Sequence, residues 1–312
     1  MGRRFDPDRA HVSSLKPEIK NSWLLVYISL GVVWGCSFIF IKLGLEFLTP
    51  FGVAFGRCAL GALTLLGWAK YKNIALPKSK TLWFHLWVVA MLLNVLPGIF
   101  FALAETEVTS ILAGIINAVT PLMTLLAIMI VTRDEKPKFY QILGIFIGFL
   151  GVLTVLGAWQ GLGENPLWAV LVLFAAVTCY GFSFPYSRRF VLPYKLSPES
   201  NAAGQVTMGA LTLLPLYLFD GIAKDEYRPA PVFAMIALGV LGSGFAYIWN
   251  FKVMELAGSA IASSVTYLTP VVAVIVGVIF LQEKIYWYEP VGAVIVLLGA
   301  AIGQNRIKIS KN

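Results

Sequence analysis

The chain has 312 residues, 58% of them apolar and 13% charged, with a mean hydropathy of +0.79 and a net charge of +8. A soluble globular domain carries roughly 25% charged residues, about twice this share, so a water-soluble fold is excluded. Long apolar runs between short polar connections point to segments that cross a bilayer, each needing about 20 residues.

In chain order, the polar start holds Arg3, Arg4, Arg9, Lys16 and Lys20 and reads as a solvated cytoplasmic tail. The apolar run after it is full length and lacks a small-residue cleavage site, so it reads as a retained helix and not a signal peptide. Ten runs follow, at about 22–43, 50–69, 82–103, 108–131, 139–157, 166–186, 200–219, 231–252, 259–281 and 286–304. Their apolar residues are continuous and do not alternate, which favours helices over a barrel.

The hexapeptide from Gly61 to Leu66 recurs letter for letter from Gly209 to Leu214, an offset of 148, each copy 11 residues after Pro50 or Pro198. Trp34 to Phe38 aligns with Tyr180 to Phe184, Ser110 and Thr120-Pro121 with Ser259 and Thr269-Pro270, and Glu135-Lys136 with Glu283-Lys284. The chain is one unit written twice. Five helices per copy, an odd number, make the second copy enter the membrane from the opposite side. The expected fold is an all-α membrane protein of ten transmembrane helices in two inverted five-helix repeats. Its parts are a cytoplasmic tail at 1–21, repeats at 22–158 and 159–304, and a second cytoplasmic tail at 305–312. Transporters use this plan because exchanging the conformations of the halves switches access from one side to the other.

With the N-terminus inside, 19 of the 24 basic residues fall in cytoplasmic segments, so the charge is a topology signal that places both termini in the cytoplasm of an inner-membrane protein. Nucleic acid as a partner has no support. The bilayer and a small-molecule substrate are the partners expected, with a homodimer left open.

Within the spans, the first and sixth supply Trp34, Phe38, Tyr180 and Phe184. The third adds Phe101, and the eighth and ninth add Tyr247, Asn250 and Tyr267. Deep aromatics of this kind suit a cavity for amphipathic or aromatic solutes. Asn117 and Thr266 lie on small, hydroxylated stripes that serve close helix packing or line a path. Arg57 is basic within a span, and its repeat mate is Gln205; it snorkels, caps carbonyls, or holds a substrate carboxylate. Pro97, Pro121 and Pro270 break backbone hydrogen bonding near mid-membrane and mark hinges or kinks.

The 16 carboxylates fall in tails, loops or within about a turn of a span end, so Glu105, Glu107 and Glu255 read as solvated helix ends. His85 reads as interfacial. Gly242-Ser243-Gly244 reads as helix packing, and Cys36, Cys58 and Cys179 as inert fillers. No phosphate-loop motif, metal-ligand spacing or catalytic cluster is present, so no cofactor, no metal and no enzyme activity are expected.

The series Trp34-Gly-x-Ser-Phe, Pro50 before an arginine-bearing helix, Ser110-x-x-Ala113 to Pro121, then Glu135-Lys136 and Gly144, with its second copy from Tyr180 to Gly299, resembles the EamA family of the drug/metabolite transporter superfamily. The resemblance spans about residues 22–304. It implies an exporter of small metabolites, with spans 1, 3, 4, 6, 8 and 9 lining the path and spans 5 and 10 outside. The reading is a secondary transporter exporting amino acids, especially apolar or aromatic ones, by alternating access around a midplane cavity. Multidrug or nucleoside export, or carriage of a lipid-linked or sugar-linked substrate, is the alternative.

Overall fold

A computed structural model describes residues 17–131, 139–157, 159, 165–221 and 228–303. Among them there are helices and turns and no strands. Among the described residues, eight helices are long and apolar enough to cross a membrane: α1 (Leu24–Gly44), α2 (Pro50–Tyr71), α3 (Lys80–Ala104), α4 (Ser110–Ile130), α6 (Leu167–Tyr194), α7 (Pro198–Asp220), α8 (Pro229–Ala257) and α9 (Ile261–Leu281). Between and after them lie α5 (Phe139–Val155) and α10 (Tyr288–Gly303), of 17 and 16 residues. Within the described residues, α5 stops at Val155, two residues before the end of the run at 139–157, and α10 begins at Tyr288, two residues into the run at 286–304. Gly157 turns to φ +57° just past α5, the left-handed geometry that stops a helix.

Helix starts follow local chemistry. Thr49, Ser79, Thr109 and Ser197 each accept a hydrogen bond from a first-turn N–H of the helix that follows, which satisfies an otherwise orphaned donor. Pro50 and Pro198 occupy first-turn positions, where the missing N–H costs nothing.

The core lies among α1, α3, α4, α6 and α9, where Phe38, Phe101, Ile111, Ile115 and Leu173 are all buried. A second cluster joins α2, α3, α7 and α8 through Leu65, Leu86, Val206 and Phe251. The α5 and α10 helices pack chiefly on each other. A Cβ on Gly292 would sit 2.4 Å from Val155 N, and one on Gly299 2.4 Å from Gly148 N. Glycine alone permits this backbone approach, the small-residue packing mode of membrane helices. Their other faces leave Phe146, Phe149, Val294 and Leu298 exposed, as a lipid-facing surface requires.

Two helices change winding midway. Met91–Val95 in α3 and Leu238–Phe245 in α8 are π-helical and begin at nearly the repeat offset from one another. Such bulges shift the hydrogen-bond register and release carbonyls, often at functional sites. Further breaks fall at the three prolines singled out above. Pro97 follows the first π segment. Pro121 follows the turn between Ser110–Asn117 and Thr120–Val131. Pro270 follows a 3-10 turn at Val265–Tyr267.

Candidate functional site

A cavity lies where these broken helices meet. Its walls include Trp34 and Phe38 from α1, Arg57 from α2, Phe101 from α3 and Asn117 from α4. Tyr180 and Phe184 of α6, Tyr247 of α8 and Thr266 of α9 are the other expected residues that line it. Asn250 and Tyr267 are not among the lining residues. Asn250 is fully buried on α8, and neither atom of its amide has a partner among the described residues. Ser37, Ile41 and Leu93 also line the cavity and were not anticipated.

Aromatic rings form much of the wall. Trp34 meets Tyr247 edge-on at 5.9 Å and Phe38 meets Phe101 edge-on at 5.4 Å, while Phe101 stacks on Tyr180 at 5.8 Å. Their polar handles answer the π segments. The Tyr247 hydroxyl donates to Leu93 O at 3.0 Å and the Trp34 indole N–H to Gly242 O at 3.2 Å. A carbonyl in each π segment is thus met by an aromatic donor from a different helix, which fixes both rings at the cavity edge.

Arg57 is 5% exposed, so it does not snorkel. Its Nε donates to Ser243 Oγ at 2.9 Å, in the second π segment. Gln205, its repeat mate, behaves in parallel: its amide donates to Asn94 Oδ1 at 2.6 Å, in the first π segment. Ser243 is therefore the acceptor that orients Arg57, beyond the packing role read from Gly242-Ser243-Gly244. Gly61 does pack there, as a Cβ on it would lie 2.7 Å from Ser243 O. Only the arginine of this pair lines the cavity. No acceptor among the described residues engages its two terminal nitrogens.

Opposite, the breaks of α4 and α9 are stitched together. Asn117 donates to Thr269 Oγ1 at 3.2 Å and accepts from Thr120 at 3.3 Å. Thr269 in turn donates to Thr266 O at 2.8 Å.

His85 lies outside the cavity, bonded to the Tyr186 hydroxyl at 2.9 Å and stacked on Phe190. The three cysteines are free. No group of His, Cys, Asp and Glu among the described residues could hold a metal ion. Glu107 and Glu255 are exposed, as expected of helix ends. Glu105 corrects the reading: it is fully buried, because Lys42 and the turn to Thr109 cover the end of α3.

The sequence profile of the EamA-like transporter family matches residues 21–157 and again residues 167–302. The chain belongs to this family. It is 28% identical over 274 residues to an uncharacterized transporter of Archaeoglobus fulgidus, covering 86% of this chain and 92% of that one. The uncharacterized inner membrane transporter YedA of Escherichia coli K12 is 27% identical over 253 residues, with 80% and 79% covered. A solved crystal structure superposes with a TM-score of 0.67 over 92% of this chain and 99% of that one, at 18% identity. The protein is thus an integral membrane transporter with an EamA-type helical fold.

Proposed function

We propose that this transporter exports carboxylate-bearing small metabolites, amino acids with apolar or aromatic side chains foremost, across the inner membrane with both termini in the cytoplasm. The observation that carries the reading is Arg57: a buried guanidinium held by Ser243 through Nε, with two terminal nitrogens left for a ligand in an aromatic-walled cavity. A guanidinium matches a carboxylate through two parallel hydrogen bonds, and the rings around it suit an apolar side chain. An unmet buried charge is costly, so a carboxylate gains more here than a neutral group does.

We read the two halves as inverted repeats working by alternating access, on three observations. The family profile matches twice in tandem. Both halves carry a π segment and a helix break before a proline at corresponding positions. Arg57–Ser243 and Gln205–Asn94 are reciprocal contacts between the halves. Bending at these breaks would move one half against the other around the cavity. The test is thermal stabilisation of the detergent-purified protein by a panel of amino acids, each beside its carboxamide. Acids stabilising and amides failing is the expected result; amides, nucleosides or cationic drugs stabilising equally well would replace the carboxylate reading with the multidrug one.

A further inference from the structure

Glu105 ends α3 one turn beyond the cavity-lining Phe101, its N–H bonded to Phe101 O at 2.9 Å. The side chain is 0% exposed, and neither carboxyl oxygen has a hydrogen-bond partner among the described residues. The nearby cation does not pair with it. Lys42 Nζ donates instead to the backbone carbonyls of Glu105 at 2.6 Å and Val108 at 2.9 Å. Counting back from Ser110 and Ser259, the equivalent of Glu105 in the second half is Met254, itself 2% exposed. One fold position thus holds a thioether in one half and a carboxyl in the other, in both cases closed off from water. A bare carboxylate there would be strongly disfavoured, whereas a carboxylic acid is tolerated.

We propose that Glu105 is a proton-binding site: this end of the molecule packs as seen only with the carboxyl protonated, and it opens as the proton leaves. On opening, the O–H bond of the acid breaks, the proton passes to entering water, and the electron pair stays on the carboxylate. This inference goes beyond the transport reading, since it depends neither on substrate identity nor on which end faces the cytoplasm.

The charged and titratable groups around the carboxyl are Lys42 of α1, Arg57 of α2, Tyr180 of α6 and Glu283 from the segment after α9. Burial pushes the Glu105 carboxyl well above the usual range, opposed by Lys42 and Arg57 and reinforced by Glu283. Opening hydrates the group and returns it toward the ordinary value of about 4.3. The packed form therefore holds one proton more than the open form between the two values. Closure is complete below the open-form value, falls about tenfold per pH unit through the window, and levels off above the packed-form value. Glu283 is itself engaged, accepting hydrogen bonds from Ser110 N, Ser110 Oγ and Ile111 N.

The experiment uses the full chain in detergent with Cys36, Cys58 and Cys179 replaced. A reporter cysteine is placed at Val108, which is 2% exposed, and separately at the exposed Thr106 as a reference. The ratio of their maleimide labelling rates, taken from about pH 5 to about pH 8, reads opening with the thiol's own titration divided out, in a window above the ordinary carboxylate value. With Glu105 present the ratio rises, by about tenfold per pH unit at its steepest. In Glu105→Gln, and in Glu105→Met, which copies the second half, it stays low and flat. A flat ratio with Glu105 present, a ratio that falls with rising pH, or an unchanged slope in either variant would overturn the proposal. Should Glu105→Gln fail to fold, the methionine variant carries the comparison.

Discussion

Glu283 binds the segment after α9 to the start of α4, and the strength of that link can be worked out bond by bond. Its carboxylate accepts from Ser110 N at 2.9 Å, Ser110 Oγ at 2.9 Å and Ile111 N at 3.1 Å. Two of these donors are first-turn N–H groups of a helix, with no intrahelical partner. Hydrogen bonds to a charged acceptor contribute about 1.5–3 kcal/mol, and a lost N-cap costs about 1 kcal/mol. The side chain is half-buried, so solvent replaces part of what is lost. Glu283→Ala should therefore free these amides by about 2 kcal/mol, or roughly 30-fold in local opening. Hydrogen–deuterium exchange in detergent reads this directly. Ser110 and Ile111 should exchange about 30-fold faster, while amides of Leu82 to Val89 stay unchanged. The Leu112 amide, met separately by Thr109 Oγ1 at 3.1 Å, should move less than Ile111. Unaltered protection at Ser110 and Ile111 would refute the cap and its worth.

Three further outcomes follow from packing and polar contacts. Tyr247→Phe strips the Leu93 carbonyl of its 3.0 Å donor in a fully buried setting, and should destabilise by about 1–3 kcal/mol in reversible denaturation. Gly292→Val places a side chain against Val155 N at 2.4 Å, an overpacking cost of about 1–3 kcal/mol. It should lower the melting temperature, whereas a valine at Gly67, with open space around it, should not. Asn117→Ala cuts the bond to Thr269 and should raise the rate of proteolytic or labelling access near the α4 and α9 breaks.

Much of the cavity was legible in the sequence because depth in a span and residue chemistry together restrict where a side chain can point. Trp34, Tyr180 and Tyr247 are too far from span ends to anchor at an interface, so they converge inside. Asn250 satisfied the same test and still missed the cavity, since depth does not fix rotation about the helix axis. The π segments left no trace: Met91 to Val95 is an unbroken apolar run apart from Asn94, and an added backbone turn has no composition of its own. That hid the partnership of Arg57 with Ser243, which depends on the released register. Glu105 was misplaced for a different reason. Hydropathy puts a carboxylate at a span end into water, but Lys42 reaches across to the carbonyls of Glu105 and Val108 and seals that end. The stop of α5 at Val155 was likewise invisible, because the apolar run continues up to the turn at Gly157.

Carboxylate transport through the Arg57 cavity is tested most directly by counterflow in proteoliposomes loaded with an unlabelled apolar or aromatic amino acid and given a trace of the labelled one outside. A saturable overshoot that the matching carboxamide cannot compete away is expected. Arg57→Gln, which installs the residue of the second half, should reduce apparent affinity by about 30-fold or more, the worth of about 2 kcal/mol in a charge-assisted contact. Absence of saturable flux for any carboxylate in the panel, or an Arg57→Gln protein with undiminished preference for acid over amide, would contradict it.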